Sequence, residues 1–238
     1  MLAVSYYEKI KEVMEKVVTT QSEAIDQASD RVAKSLLQGG ILHVFGSGHS
    51  AMIGKEITSR AGGLVPINQV PDPTEGMAER LEGLAEILLE HYAKRCQLLP
   101  GEVMIIVSTS GRNPVPIEVA MEASKRGLYT IAITSLEYSR QSTSRHASGK
   151  RLFEVADLVL DNCVPPGDAI VEIGKTGQKA GASSTIAGAL LVNMLVLAAV
   201  ERILQEGVEP PILRSYNLEG DDDHNLKLFE RYRARLAR

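Results

Sequence analysis

Residues 103–107, Val-Met-Ile-Ile-Val, are continuously apolar and stand directly before Ser108-Thr109-Ser110-Gly111. A short run without polar alternation is what a parallel strand buried on both faces requires, because a half-exposed strand alternates. The pattern recurs at residues 41–45, 64–68, 129–134 and 156–160, with stretches of helical apolar spacing between the runs and after the last. Five buried runs alternating with helices predict an α/β fold, a three-layer doubly wound sheet of five parallel strands of the flavodoxin-like type. A chain of 238 residues with 44% hydrophobic content has the material to cover such a sheet on both faces.

Additional elements frame that core. Leu2, Tyr6, Ile10, Val13 and Val17 predict an amphipathic helix over 3–19, and Ala24, Ile25, Ala28, Val32 and Leu36 predict a second over 21–38. Gly39-Gly40 is a helix stop. The expected organisation is residues 1–38 as N-terminal helices, 39–206 as the α/β domain and 207–238 as a C-terminal tail. The paired N-terminal helices offer apolar surface to the sheet or to a second subunit, so a homodimer or tetramer is expected. Residues 169–173 can form a short extra strand after Pro165-Pro166-Gly167-Asp168. The most apolar stretch, 186–200, is interrupted by Asn193 and is short for a membrane span, so it is expected to be a buried helix. In the tail, Asp222 or Asp223 is expected to cap the last helix. Asp221–Asp223 make a poor metal site, because three consecutive carboxylates face one ion only in a specialised loop.

Composition removes several function classes. The net charge is −4, Trp is absent and aromatics are only 4%. There is accordingly no basic footprint for nucleic acid and no aromatic platform for base stacking. The two cysteines, Cys96 and Cys163, lack metal-ligand spacing and read as reduced thiols. Charged residues from position 8 onward give the start of the chain no secretory-signal character, and a cytoplasmic protein without membrane association is expected.

The chemistry is expected in two turns. Ser108, Thr109, Ser110 and Asn113 follow one buried strand, and Gly46-Ser47-Gly48-His49-Ser50 follows another. A hydroxyl-rich turn leading from a strand into a helix directs backbone N–H groups and short O–H donors at one place, which suits an anion such as phosphate. Two such turns at the carboxyl ends of parallel strands suit a small phosphorylated molecule. The first turn also fits G-x-G-x-x-A, a dinucleotide fingerprint. That reading requires an acidic residue closing the second strand, which instead ends in Asn68-Gln69, so it ranks below a sugar phosphate and no cofactor is expected.

The segments IVSTSGRNP, GLYTIAITS and GSGHSAMIGKEI resemble the sugar isomerase (SIS) domain family, which includes phosphoheptose isomerase and other phosphosugar isomerases. The resemblance covers roughly residues 39–206. It implies that Ser108, Thr109 and Ser110 hold the phosphate and that Ser47 faces the sugar, with Asn113 where phosphoheptose isomerase has a further serine. Ser50, His49 and Lys179 are further candidate binding residues, His49 toward the sugar and Lys179 toward the phosphate. The implied activity is cofactor-free aldose–ketose isomerisation, which needs a base beside the carbonyl carbon and a group for ring opening. The glutamate of phosphoheptose isomerase aligns with Ser59, and no histidine lies in 183–206 to match its histidine. A relative with its glutamate in the loop after the second strand points to Glu75, with Glu56 and Glu79 as further candidates and His224 as the candidate ring-opening group. The alternatives are a phosphosugar sensor without turnover and an etherase-type lyase.

Overall fold

The computed structural model describes residues 1–217 and 222–236, without the side chain of Asp222. Its centre is a parallel sheet built from the five apolar runs: β1 (Leu42–Gly46), β2 (Ile67–Gln69), β3 (Val103–Val107), β4 (Tyr129–Thr134) and β5 (Leu158–Asp161). The strand order is β2-β1-β3-β4-β5. Register follows the apolar runs residue for residue, Leu42 beside Val103 and Val103 beside Tyr129.

Alternate side chains of these strands enter opposite cores, as the pleat demands. Leu42, Val44, Val103, Ile105, Val107, Ile131 and Ile133 pack on one face against α2 (Ser22–Leu37), α3 (Ala51–Ile57) and α7 (Ser184–Gln205). Phe45, Met104, Ile106 and Ala132 pack on the other against α4 (Leu84–Ala93) and α5 (Pro114–Lys125). Each fully buried Val, Leu or Ile contributes about 1.5–3 kcal/mol relative to exposure, so the continuous runs are what hold the three layers together.

The first helix of the chain, α1 (Leu2–Thr20), buries Ile10 and Val17, and Gly39 at φ +81° ends the path out of α2. Ile10 packs on Ile170 and Val171 of β6 (Ala169–Ile173), the expected extra strand. That strand pairs antiparallel with β7 (Gln178–Ala182), a polar, glycine-containing run that hydrophobic patterning does not reveal. By length and composition α7 could cross a membrane, but Ala187, Leu191, Val192, Leu195 and Ala199 are completely buried, and the helix packs along α2 as a core element.

Several boundaries differ from the sequence reading for local reasons. Leu64 does not join β1. It bridges antiparallel to Ile212, and Val65 donates to the Pro211 carbonyl, so β2 starts only at Ile67. α5 begins at Pro114, three residues earlier than the apolar spacing indicates, because proline is preorganised for a first helical turn. α6 (Leu136–Gln141) takes up only the start of the polar run after β4, with the Ser135 hydroxyl accepting from the Tyr138 N–H as its cap. The acidic tail segment can be followed from the start of α8 (Asp222–Tyr232); Asp221 lies outside the described residues.

Candidate functional site

The strand order reverses between β1 and β3, and both hydroxyl-bearing turns leave the carboxyl ends of those two strands. Ligands of open α/β sheets settle at such a switch point. The turn after β1 needs its first glycine: a Cβ on Gly46 would lie 2.4 Å from the Ser50 carbonyl oxygen. The chain can therefore double back, burying Ser47 and leaving His49 exposed.

Ser47 is already engaged. Its hydroxyl donates to Asp72 Oδ2 at 2.5 Å, and Asp72 also accepts from the Thr74 N–H (2.9 Å), the Thr74 hydroxyl (2.6 Å) and the Gly76 N–H (3.0 Å). Burial pushes the Asp72 carboxyl up, but the bonds from Ser47, Thr74 and Gly76 outweigh it and hold the group below its ordinary value. Asp72 is thus an anchored carboxylate, and the loop that leaves β2 is tied to the turn that leaves β1.

The second turn forms one wall of a cavity of about 350 Å³ lined by Ser108, Thr109 and Ser110 together with Ser50 of the first turn. Arg80, Arg112, Arg145 and Tyr138 complete much of the lining. Among the described residues, none of these three guanidiniums has a carboxylate within ion-pair distance. Helix amides contribute less than the sequence reading expects, because Pro114 and Pro116 have no N–H and the Val115 N–H is bonded to the Glu79 carbonyl at 3.2 Å. The donors on offer are hydroxyls and guanidiniums.

Asn113 is buried at the edge of this cavity. Its Nδ2 donates to Glu79 Oε1 at 2.6 Å, and its Oδ1 accepts from Arg145 Nη1 at 2.9 Å. Glu79 lines the same cavity, as does Asp168 at the start of β6. The Asp168 carboxylate is committed to the first turn of α7, accepting from the Ser183 and Ser184 N–H groups and from both hydroxyls.

A second cavity, of about 430 Å³, holds His49, Lys55, Asp72 and Glu75. It shares no lining residue with the first. Gly76 packs on Gly48 so closely that a Cβ on Gly76 would be 2.9 Å from the Gly48 Cα. Glu75 is exposed on this side, and Glu56 is occupied by Arg60 and Asn193. Of the residues singled out in the sequence, Ser50, Ser108, Thr109, Ser110 and Asn113 come together, while His49 and Glu75 meet in the neighbouring cavity. Lys179 is exposed on β7 opposite Glu172, and His224 bonds to the Ile212 carbonyl at 3.0 Å; neither lines a cavity of this site. Arg80, Arg112 and Tyr138 went unread because isolated surface-type residues carry no periodic or motif signal.

At the opposite, amino-terminal end of the sheet lies a buried polar cluster. His43 faces the Tyr92 hydroxyl through Nδ1 (2.8 Å) and Glu102 through Nε2 (3.0 Å). Asn68 Nδ2 donates to the Cys96 sulfur, and the Cys96 thiol donates to the Arg235 carbonyl, each at 3.1 Å. Burial alone would depress the His43 imidazole, but bonding with Cys96 and Glu102 raises it above its ordinary value. Burial pushes Cys96 and Glu102 up, yet their hydrogen bonds, chiefly with His43, leave both lowered.

Comparison with known proteins agrees with the fold. A model of the SIS domain matches residues 5–135, more than half of the chain. A UPF0309 protein of Geobacillus kaustophilus is 41% identical over 240 residues, covering 97% of this chain and 94% of the relative. Another, from Caldanaerobacter subterraneus, is 41% identical over 244 residues, covering 97% of each. Among solved structures, a phosphoheptose isomerase from Francisella tularensis superposes with a TM-score of 0.59 at 18% identity, over 84% of this chain and 96% of that one. The Vibrio vulnificus NanR protein complexed with ManNAc-6P gives 0.54 at 15% identity, over 87% and 65%. At such identities the likeness speaks for the fold. The SIS match over the strands that carry both turns, together with full-length relatives at 41% identity, shows that the chain belongs to the SIS domain family and, within it, to the UPF0309 proteins.

Proposed function

We propose that this protein binds a phosphosugar in the cavity between the β1 and β3 turns and interconverts its aldose and ketose forms without a cofactor. The observation that carries the reading is the donor set of that cavity: five hydroxyls, those of Ser50, Ser108, Thr109, Ser110 and Tyr138, and three guanidiniums without ion-pair partners among the described residues, gathered at the switch point of the sheet. Neutral and cationic donors lining one cavity match a phosphate dianion, and Arg does so with two N–H groups at once. Two of the similar solved structures are a phosphoheptose isomerase and a protein complexed with ManNAc-6P, which is consistent with a phosphorylated sugar as ligand.

The competing reading is a sensor that binds the same ligand without turnover. It is favoured by the lining of this cavity, where no histidine stands among the described residues to serve as a ring-opening group. Calorimetry with glucose 6-phosphate, fructose 6-phosphate and ribose 5-phosphate tests the binding claim. A hydrogen bond to a charged group is worth about 1.5–3 kcal/mol. Thr109→Val combined with Ser110→Ala should therefore weaken binding at least tenfold while the melting temperature stays near that of the native chain. Unchanged affinity in that double variant refutes the anion site.

A further inference from the structure

The loop that follows β2 is stapled across the site at both ends. Asp72 ties it to the β1 turn through Ser47 and closes its first bend on Thr74 and Gly76. The Thr74 hydroxyl then accepts from the Ala78 N–H at 3.3 Å. At the far end the Glu79 carbonyl accepts from Val115 of α5, and Glu82 accepts from the Ala147 N–H at 2.6 Å. The backbone of Glu79 is thereby fixed over the cavity that holds Ser108, Thr109 and Ser110, whereas Glu75 faces the other cavity.

The carboxylate of Glu79 is oriented as well. An ionised carboxylate only accepts and a guanidinium only donates. The bonds from Asn113 to Glu79 and from Arg145 to Asn113 therefore fix which end of the Asn113 amide faces each partner. Oε1 is held by that amide, and Oε2 makes no hydrogen bond to any described residue. One oxygen is clamped and the other has no hydrogen-bond partner among the described residues, in a side chain that lines the cavity.

We propose that Glu79 is the proton-transferring carboxylate of the aldose–ketose interconversion, with Asp72 as the positioning residue that holds its loop in place. The assignment rests on the phosphosugar reading above and selects Glu79, a further candidate in the sequence, over Ser59 and Glu75, the positions to which the resemblance points first. With the phosphate held by Ser108, Thr109 and Ser110, Oε2 removes the proton from the carbon next to the carbonyl. The C–H electron pair becomes the new C=C bond and the carbonyl π pair moves to its oxygen, which takes a proton from solvent water to give an enediol. The neighbouring hydroxyl then returns a proton to that water as its oxygen forms the new carbonyl, and the C=C pair takes the proton held by Glu79 onto the former carbonyl carbon. Substrate and product are isomers, so nothing is consumed. A base in this role contributes about 10²–10⁴-fold.

The test is deuterium wash-in from heavy water, followed by NMR on the three sugar phosphates named above, alongside calorimetric binding of each. Glu79→Gln keeps an oxygen for Asn113, so it should bind within threefold of the native protein and lose at least 100-fold in exchange. Glu79→Asp should retain measurable exchange, which a variant that had merely misfolded would not. Asp72→Asn should lower kcat with KM little changed, a split that general destabilisation does not produce. Exchange by Glu79→Gln within tenfold of native overturns the assignment, and so does loss of exchange with Glu75→Gln while Glu79→Gln remains active. A native protein that binds a sugar phosphate but washes in no deuterium refutes the catalytic role and leaves the binding reading standing. A native protein that binds none of the three fails the phosphosugar reading itself.

Discussion

Glu102 is the residue whose removal this fold should tolerate least. It is almost completely buried and accepts four hydrogen bonds: from the Ile41 N–H (2.9 Å) and Arg235 Nη2 (2.6 Å) at Oε1, and from the Leu99 N–H (2.8 Å) and His43 Nε2 (3.0 Å) at Oε2. Glu102→Ala strands two amides, the His43 imidazole and the Arg235 guanidinium at a buried site. Breaking a buried pair from one side costs about 3–5 kcal/mol. A chain of this size loses roughly 2–4 °C of Tm per kcal/mol, so the expected fall is roughly 6–20 °C. Glu102→Gln keeps one acceptor but turns an NH₂ toward donors, and should fall between the native chain and Glu102→Ala. The pH profile adds a second check. Glu102 is lowered from 4.5, so its contribution is present above that value and is lost as pH falls through the depressed folded value. His43 is raised from 6.5, so its contribution is full below 6.5 and is lost as pH rises through the raised folded value. Urea titrations between pH 4 and 8 should show a native maximum between 4.5 and 6.5 that flattens in Glu102→Ala. A Tm loss below about 3 °C, or an unchanged pH profile, refutes the argument.

Gly76→Ala should destabilise the protein by more than about 1 kcal/mol, because φ is +89° and the new methyl meets the Gly48 backbone; a melt within 1 °C of native sinks this. The apolar side chains that α1 and α7 leave exposed, among them Leu2, Val4, Tyr7, Leu197 and Leu204, predict a dimer or larger assembly. Light scattering that gives a monomer at micromolar concentration contradicts it.

How far the sequence could be read depended on whether a feature was local. The strands were legible because residues 103–107 and 129–134 are apolar without a break, a pattern only a two-sided core uses. β7 was not, because Gln178 to Ala182 stays exposed and gains its pairing only from β6. The hydroxyl turn was legible from Ser108-Thr109-Ser110, but the loss of helix amides to Pro114 and Pro116 shows only once the helix is seen to start at Pro114. Glu75 and Glu79 are four residues apart in one loop, and no periodicity decides which cavity each faces. Only the folded loop does, with Glu75 at the cavity of His49 and Glu79 at that of Ser108. The buried cluster draws on positions 43, 68, 92, 96, 102 and 235, which nothing but the fold brings together.

That cluster and the cavity occupy opposite ends of the same strands. β1 carries His43 near its start and leads into Ser47 and Ser50 at its end, and Glu102 precedes the β3 run that delivers Ser108. The strands between them are apolar and close-packed, so they transmit position without offering a polar path from one end to the other. Two groups of residues that share no partner and lie a strand length apart contribute nearly additively. Stability changes made at His43 or Glu102 should therefore leave the hydrogen bonds at Asp72, Glu79 and Asn113 intact. The hydroxyls and guanidiniums of the cavity, in turn, need not serve the fold. Under the phosphosugar reading, the three guanidiniums of the cavity, none in an ion pair among the described residues, are the charges an arriving dianion would meet.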